Sequence, residues 1–314
     1  MRIKVLQTVY SFYQGGDSDV AKSEKELLYS IQKSYDLYFY LFLLGVEVCN
    51  YAESVINSKK QKFLATETDR NPNMKFVNNK FIAQFKENEA FITQVNGKKI
   101  SWATNPELPK RIFNTLEKTD EYISYMAKPT SSYEEDKKII AFMFENVIYD
   151  CDLLYQILEE QSVYWIDTVE FIIGMVLKTI ERYKIGYDNS YPLVKMFKND
   201  DDREFVIQLF RKTVARGDYY RKLISENTQN WDLERIAFFD ILVLQTALAE
   251  VETFPEIPLK VTFNEYIELA KDYSTSKSSV FVNGVLDKAV SKLMSEKKIK
   301  KIAEAPEKTE KNED

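Results

Sequence analysis

The sequence predicts an all-α fold. Three observations lead there: apolar residues recur at helical spacing, no alternating apolar and polar run exceeds about four residues, and the 314 residues hold only 8 Gly and 8 Pro. Ile3, Leu6, Tyr10 and Tyr13, widened by Val5, Val9 and Phe12, predict a first helix ended by Gly15-Gly16. A long helix over about 23–56 carries Tyr29, Tyr35, Tyr38, Phe39, Tyr40 and Phe42, and must be covered on most sides. Residues 58–80 are polar and Asn-rich and read as a surface loop. Further helices are expected over 79–95, 106–127, 133–160, 163–185, 200–226, 232–253, 262–273 and 278–300, with Asn96-Gly97 as a turn between two of them. Ser132-x-x-Glu135 and Thr262-x-x-Glu265 both match the capping box, which satisfies orphan N–H groups at a helix start. The tail from Glu304 is charged and Pro-containing, a composition expected to be disordered.

What is scarce excludes several kinds of chemistry. None of the eight glycines falls into G-x-G-x-x-G or G-x-x-x-x-G-K-[ST]. There is no histidine, so no Ser-His or Cys-His pair and no H-E-x-x-H. Cys49 and Cys151 stand alone in apolar helical contexts, which supports neither a disulfide framework nor a zinc site. We therefore expect no catalytic residue, no metal and no cofactor. The N-terminus lacks an apolar signal-peptide core, and the longest apolar stretch, Leu37 to Val48, is broken by Gly45 and Glu47 and too short to span a bilayer. A cytoplasmic location is expected.

The net charge of −6 is unevenly spread. Residues 203–301 carry 16 basic and 14 acidic side chains, against 25 and 30 in residues 1–202. One basic face near the end of the chain is therefore compatible with binding a nucleic-acid strand. Residues 144–176, shifted by 66 positions, also lie over 210–242 without a gap, matching Phe144 to Phe210, Asp152 to Asp218, Glu160 to Glu226 and Trp165 to Trp231. Four identities fit either a chance alignment of two amphipathic helix pairs or a diverged copy.

Four strings in the second half carry a resemblance. Trp231-Asp-Leu-Glu234-Arg-Ile236 is followed by Asp240-Ile-Leu-Val-Leu with Ala247-Leu-Ala-Glu250, by Ile257-Pro-Leu-Lys-Val-Thr-Phe-Asn264-Glu-Tyr-Ile-Glu268-Leu-Ala-Lys271, and by Phe281-Val-Asn283-Gly-Val-Leu-Asp-Lys288. In that order they resemble the NusB family. Arg2-Ile-Lys4-Val-Leu-Gln7-Thr-Val-Tyr10 is similar to the family's first helix, and the middle of the chain resembles the long Bacteroidetes-type form with a helical insertion. The resemblance implies an all-α bundle of NusB type at residues 203–301, with helix 1 (residues 1–16) packed on it, a helical insertion over 17–202 and a tail over 302–314. It also implies a transcription antitermination factor that binds boxA-type single-stranded RNA of ribosomal RNA leader transcripts. The factor would act with the NusE ribosomal protein in an RNA polymerase antitermination complex, without catalysis.

Residue by residue, the resemblance places RNA contacts at Arg2, Lys4, Gln7, Tyr10, Lys277, Ser278, Phe281, Asn283 and Lys288. The chemistry fits: Gln7 and Tyr10 share a helix face, Lys277 and Ser278 sit at a helix start suited to phosphate, and Phe281 and Asn283 offer a ring and an amide to a base. Each also has a plainer reading. Tyr10 and Phe281 fit a core stripe, Ser278 an ordinary cap, and Gly284 a site of close helix packing. Glu234, Asp240 and Glu250 form a candidate acidic surface for a basic protein partner, with packing and capping as the alternative. A helical protein-protein adaptor without RNA binding is the competing function.

Overall fold

The computed structural model describes residues 1–15, 19–64, 66–228, 236–275 and 277–301, apart from the Thr68 side chain. Among these residues the regular structure is helical, with no strand. The chain divides into two compact units, Met1–Ile31 with Phe197–Asp314, and Gln32–Met196. The first division falls inside a long helix rather than at the Gly15-Gly16 pair.

The first unit contains α1 (Arg2–Gln14), α11 (Asp200–Ala215), α12 (Gly217–Glu226), α13 (Phe238–Thr253), α14 (Leu259–Tyr273) and α15 (Ser278–Ser295). Asp240 to Val251 of α13 are all buried, the mark of a helix covered on every side. α1, α11, α12, α14 and α15 pack around it. Gly217 opens α12 where any side chain would collide: a Cβ there would lie 2.1 Å from the Tyr13 hydroxyl oxygen. Gln245 of α13 donates to the Gly217 carbonyl at 2.7 Å.

The second unit is built around the latter part of α2 (Val20–Lys60). An apolar window of α2 is long enough to cross a membrane by composition, but 61% of that window is buried in the protein. Its aromatic residues meet partners at short range: Phe42 stacks on Phe85 with centroids 4.2 Å apart, and Tyr40 lies 4.0 Å from Trp102. Both indoles of the unit donate to α2 carbonyls, Trp102 to Tyr40 at 2.9 Å and Trp165 to Lys33 at 2.8 Å. Cys49 and Cys151 are free and buried, and burial pushes the Cys49 thiol up to about 12.

Several helices are shorter than periodicity predicts, because polar side chains cap new starts within the apolar pattern. Over 79–95 the chain forms α4 (Lys80–Lys86) and α5 (Glu89–Lys98), with Asn88 accepting from the Phe91 N–H. The expected Asn96-Gly97 turn is helical, and α5 ends instead at Lys99 in the left-handed region at φ 53°. Over 106–127 stand α6 (Glu107–Leu116) and α7 (Asp120–Ala127), the latter capped by Thr119. The 58–80 loop contains a short helix, α3 (Glu67–Arg70), and the buried Phe76. Ser132 and Glu135 form the expected capping box of α8 (Tyr133–Phe142). That helix continues as a π-helical segment, Met143–Ile148, followed by α9 (Asp152–Gln161), a 3-10 turn (Ile166–Thr168) and α10 (Val169–Arg182). The second expected capping box does not form. Thr262 lies inside α14, and its hydroxyl is taken by Glu250 at 2.8 Å. The tail beyond Lys301 and Trp231 lie outside the described residues.

The 66-residue shift extends well beyond four identities. Applied to α8 with its π segment, it gives 199–214, against 200–215 for α11; applied to α9, it gives 218–227, against 217–226 for α12. Some buried positions coincide, Ile140, Met143, Phe144, Leu154, Ile157 and Leu158 falling on Val206, Leu209, Phe210, Tyr220, Leu223 and Ile224, while the buried Tyr133 and Lys137 fall on the exposed Asn199 and Arg203. The coincidence of helix bounds fits a diverged copy and equally two amphipathic helix pairs of similar length.

Gly45 of α2 gives the packing a sharp test. A Cβ there would sit 3.0 Å from two ring carbons of Phe144, inside a filled core. Gly45→Ala is expected to lower stability by about 1–3 kcal/mol, read as a fall in the denaturant midpoint with an unchanged slope.

Candidate nucleic-acid interface

The expected site residues come from α1, α13 and α15, and the structure sorts them into interior and surface groups. At the start of α1, Arg2 reaches inward. Its Nε and Nη2 donate to Glu250 Oε2 and Oε1 at 2.8 and 2.9 Å, and its guanidinium lies 5.3 Å from the Phe205 ring centroid. Arg2 stays partly exposed and also donates through Nη1 to Glu265 Oε2 at 3.4 Å, whereas Lys4 is buried, at 5% exposure. The helical repeat therefore takes Lys4 into the first unit and leaves Arg2 at its margin, held by Glu250 and Glu265.

Glu250 is also not on the surface. It is fully buried, and Thr262 and Tyr266 donate to it at 2.8 and 3.0 Å in addition to Arg2. Burial and the adjacent carboxylate raise the Tyr266 phenol well above its usual range, so it remains a donor. Asp240 is 4% exposed and accepts from the Ser278 hydroxyl at 2.7 Å. As the third residue of α13 it lies near the positive end of that helix's dipole. Neither carboxylate lies on the surface: both oxygens of Glu250 are taken by donors inside the fold, and Asp240 is buried with its Oδ2 on Ser278 and its Oδ1 without a partner among the described residues. Glu234 lies outside the described residues.

The same contact turns Ser278 inward. Its hydroxyl also meets Thr275 Oγ1 at 2.8 Å and Ser274 Oγ at 3.0 Å, so the Ser-rich segment before α15 bonds to itself and to Asp240. Ser278 is 2% exposed and fixes the start of α15 instead of presenting a hydroxyl to a phosphate.

What remains outside is coherent. Tyr10 is 42% exposed, and its ring lies 5.9 Å from that of Phe238, the first residue of α13. The first turn of α13 thus touches Tyr10 through Phe238 and the start of α15 through Asp240. Lys277, Asn283 and Lys288 are exposed, and Gln7 and Phe281 are half-buried. Lys277 and Lys288 have no ion-pair partner among the described residues, whereas Lys292 is paired with Glu226 at 2.7 Å. Val282, Val285, Leu286, Ala289, Val290 and Leu293 form the buried stripe of α15, leaving Val280, Asn283, Gly284 and Lys288 on its outer side. Gly284 does not serve close packing, since nothing lies within 4 Å of where its Cβ would be.

Sequence reasoning missed Phe238, which shares an aromatic surface with Tyr10, and the exposed Val280 beside Phe281. It also assigned Arg2 and Glu250 to different surfaces although they bind each other. A pair separated by 248 positions leaves no local signal.

Residues 175–291 match the NusB family. Two curated relatives are each a transcription antitermination protein NusB. The Koribacter versatilis protein is 38% identical over 101 residues, covering 32% of this chain and 69% of the relative. The Salinibacter ruber protein is 39% identical over 94 residues, covering 30% of this chain and 59% of the relative. No solved structure matches the chain.

The Arg2–Glu250 pair is expected to be structural. Replacing Glu250 with Ala leaves two buried hydroxyls without their acceptor and Arg2 with only the longer contact to Glu265, and should cost about 3–5 kcal/mol in denaturant unfolding. Arg2→Met combined with Glu250→Leu should recover only the part owed to the unpaired guanidinium, because the buried Thr262 and Tyr266 hydroxyls still lack their acceptor.

Proposed function

Because the chain belongs to the NusB family, we propose that it is a cytoplasmic transcription antitermination factor. In this reading it binds boxA-type single-stranded RNA of ribosomal RNA leader transcripts together with the NusE ribosomal protein, within an RNA polymerase antitermination complex. The work is recognition, without catalysis. One observation carries the proposal: Tyr10 and Phe238 form a partly exposed aromatic pair on the α13 turn that Asp240 ties to the start of α15, the helix that bears Lys277, Asn283 and Lys288 on its exposed side.

The roles follow from chemistry. Tyr10 and Phe281 supply ring faces for bases, Gln7 and Asn283 supply amides for base edges, and Lys277 and Lys288 supply charge for phosphates. Ser278 acts indirectly by fixing the helix start beside Lys277. Arg2 and Lys4 contribute by holding α1, and so Tyr10, in place. Two stacked bases at about 2 kcal/mol each reach only the millimolar range before phosphate contacts are added. A protein partner that extends the RNA surface is consistent with that shortfall.

The burial of Lys4 and the pairing of Arg2 with Glu250 and Glu265 favour a second reading, a helical adaptor that binds proteins without RNA. One experiment separates the two: titration of labelled boxA RNA and a scrambled control into the full chain, with and without NusE, at two salt concentrations. Preference for boxA in the presence of NusE is expected. Tyr10→Ala should weaken it by about 1–3 kcal/mol, and Lys277→Ala should reduce the salt slope by about 0.7. Equal binding of boxA and scrambled RNA with NusE present would sink the RNA reading and leave the adaptor.

A further inference from the structure

The second unit holds a cavity of about 480 Å³ between one face of α2 and the segment that joins α5 to α6, with Leu43, Glu47, Tyr51, Trp102, Pro106 and Pro109 among the residues that line it. Leu43, Glu47 and Tyr51 follow one another at a spacing of four, which sets them on one side of α2. The opposite wall is pinned to the same helix. The Trp102 indole donates to the Tyr40 carbonyl at 2.9 Å and its ring lies 4.0 Å from the Tyr40 ring, while the Tyr40 hydroxyl donates to the Ser101 carbonyl at 3.1 Å. Within that wall the Ile100 N–H donates to the Val95 carbonyl and the Asn105 N–H to the Trp102 carbonyl, both at 2.9 Å. Tyr51 stands edge-on to Phe113, with centroids 5.9 Å apart. The fold therefore fixes both rings of the cavity, and a ligand meets a site that needs little ordering.

Among the residues that line the cavity, Glu47 alone carries a charge. It interrupts the longest apolar stretch of the sequence, Leu37 to Val48, and it is half-buried. Its carboxylate has no hydrogen-bond or ion-pair partner among the described residues. Lys86 comes within one turn of it and donates instead to the Asn50 amide oxygen at 2.7 Å. A carboxylate set among apolar walls attracts a cation more strongly than one in open water, because the surroundings screen it less. An anion is repelled there, and a neutral molecule gains only from the walls. The volume falls within the range of about 300–1,000 Å³ typical of small-molecule sites, and so does the make-up, rings and aliphatic surface with one polar group to fix orientation.

We propose that this cavity binds a small organic cation, an ammonium or guanidinium group carried on an apolar body. The cationic head meets Glu47, and the body lies against the Tyr51 and Trp102 rings and the two prolines, which have no N–H to leave unsatisfied. Every wall of the site belongs to the second unit, outside the residues proposed to contact RNA.

The test uses the full chain and isothermal titration calorimetry with four probes: 2-phenylethylamine, the neutral 2-phenylethanol, the anionic 3-phenylpropionate, and the tripeptide Leu-Lys-Leu. The amine is expected to bind about tenfold more tightly than the alcohol or the carboxylate. Glu47→Gln keeps the shape of the side chain and removes its charge, so it should weaken the amine by about tenfold and leave the alcohol unchanged. Ala103, an exposed residue of the cavity wall, offers a second variant: Ala103→Trp fills the space and should weaken the amine and the alcohol together. Glu53→Gln removes a charge from an exposed position of α2 that does not line the cavity and should leave binding unchanged. An unchanged denaturant midpoint in each variant shows that the fold is retained. The proposal is overturned if the amine and the alcohol bind alike, if Glu47→Gln has no effect, if Glu53→Gln weakens the amine as much as Glu47→Gln does, or if the tripeptide binds more tightly than the free amine, which would make the cavity a site for a polypeptide.

Discussion

Glu250 has no exposure to solvent, and four hydrogen bonds converge on its two oxygens from Arg2, Thr262 and Tyr266. An unpaired carboxylate in such a place would suffer several kcal/mol of lost hydration, about what breaking a buried ion pair costs. Burial is tolerated here because three elements deliver donors to one point. α1 brings a guanidinium, α14 brings two hydroxyls one helical turn apart, and α13 holds the carboxylate inside the bundle. The contact fixes the rotation of α1 about its axis. With Arg2 turned inward, Tyr10 eight residues later emerges beside Phe238, about 12 Å further along the helix. The aromatic pair at the far end of α13 is thus set by an ion pair whose carboxylate is fully buried.

A second polar anchor works at the opposite end of α13. Asp240 and Ser278 join the first turns of α13 and α15, and the remaining hydroxyls of the Ser-rich segment gather on Ser278. The two anchors differ in strength. The first is charge-assisted on both sides, while the second is a hydroxyl donating to a carboxylate beside a helix dipole.

Legibility in the sequence followed the range of the interactions. Helical spacing located the helices because it is a local property, and Ser132 with Glu135 announced a real start because both partners lie within one turn. The same pattern at Thr262 misled, since a carboxylate twelve positions upstream took the hydroxyl. Merged helices over 79–95 and 106–127 reflect apolar periodicity that runs straight across breaks set by Asn88 and Thr119. Exposure in the candidate site was legible where an apolar stripe fixes the helix phase, as for Asn283 and Lys288 on α15. It was not legible for Arg2, Lys4, Asp240 or Glu250, because a charged residue is read as a surface residue until its partner is known.

Gly284 adds a different kind of information. A glycine inside an exposed helix weakens it by roughly 1 kcal/mol relative to alanine, and here the space that a side chain would fill is empty. The loss of local stability therefore has no return inside the fold. Its effect is on the outer contour of α15, where the backbone between Asn283 and Val285 lies bare. That bare stretch is a shallow notch, and a ligand settling into it can approach the helix axis more closely than any side chain would permit.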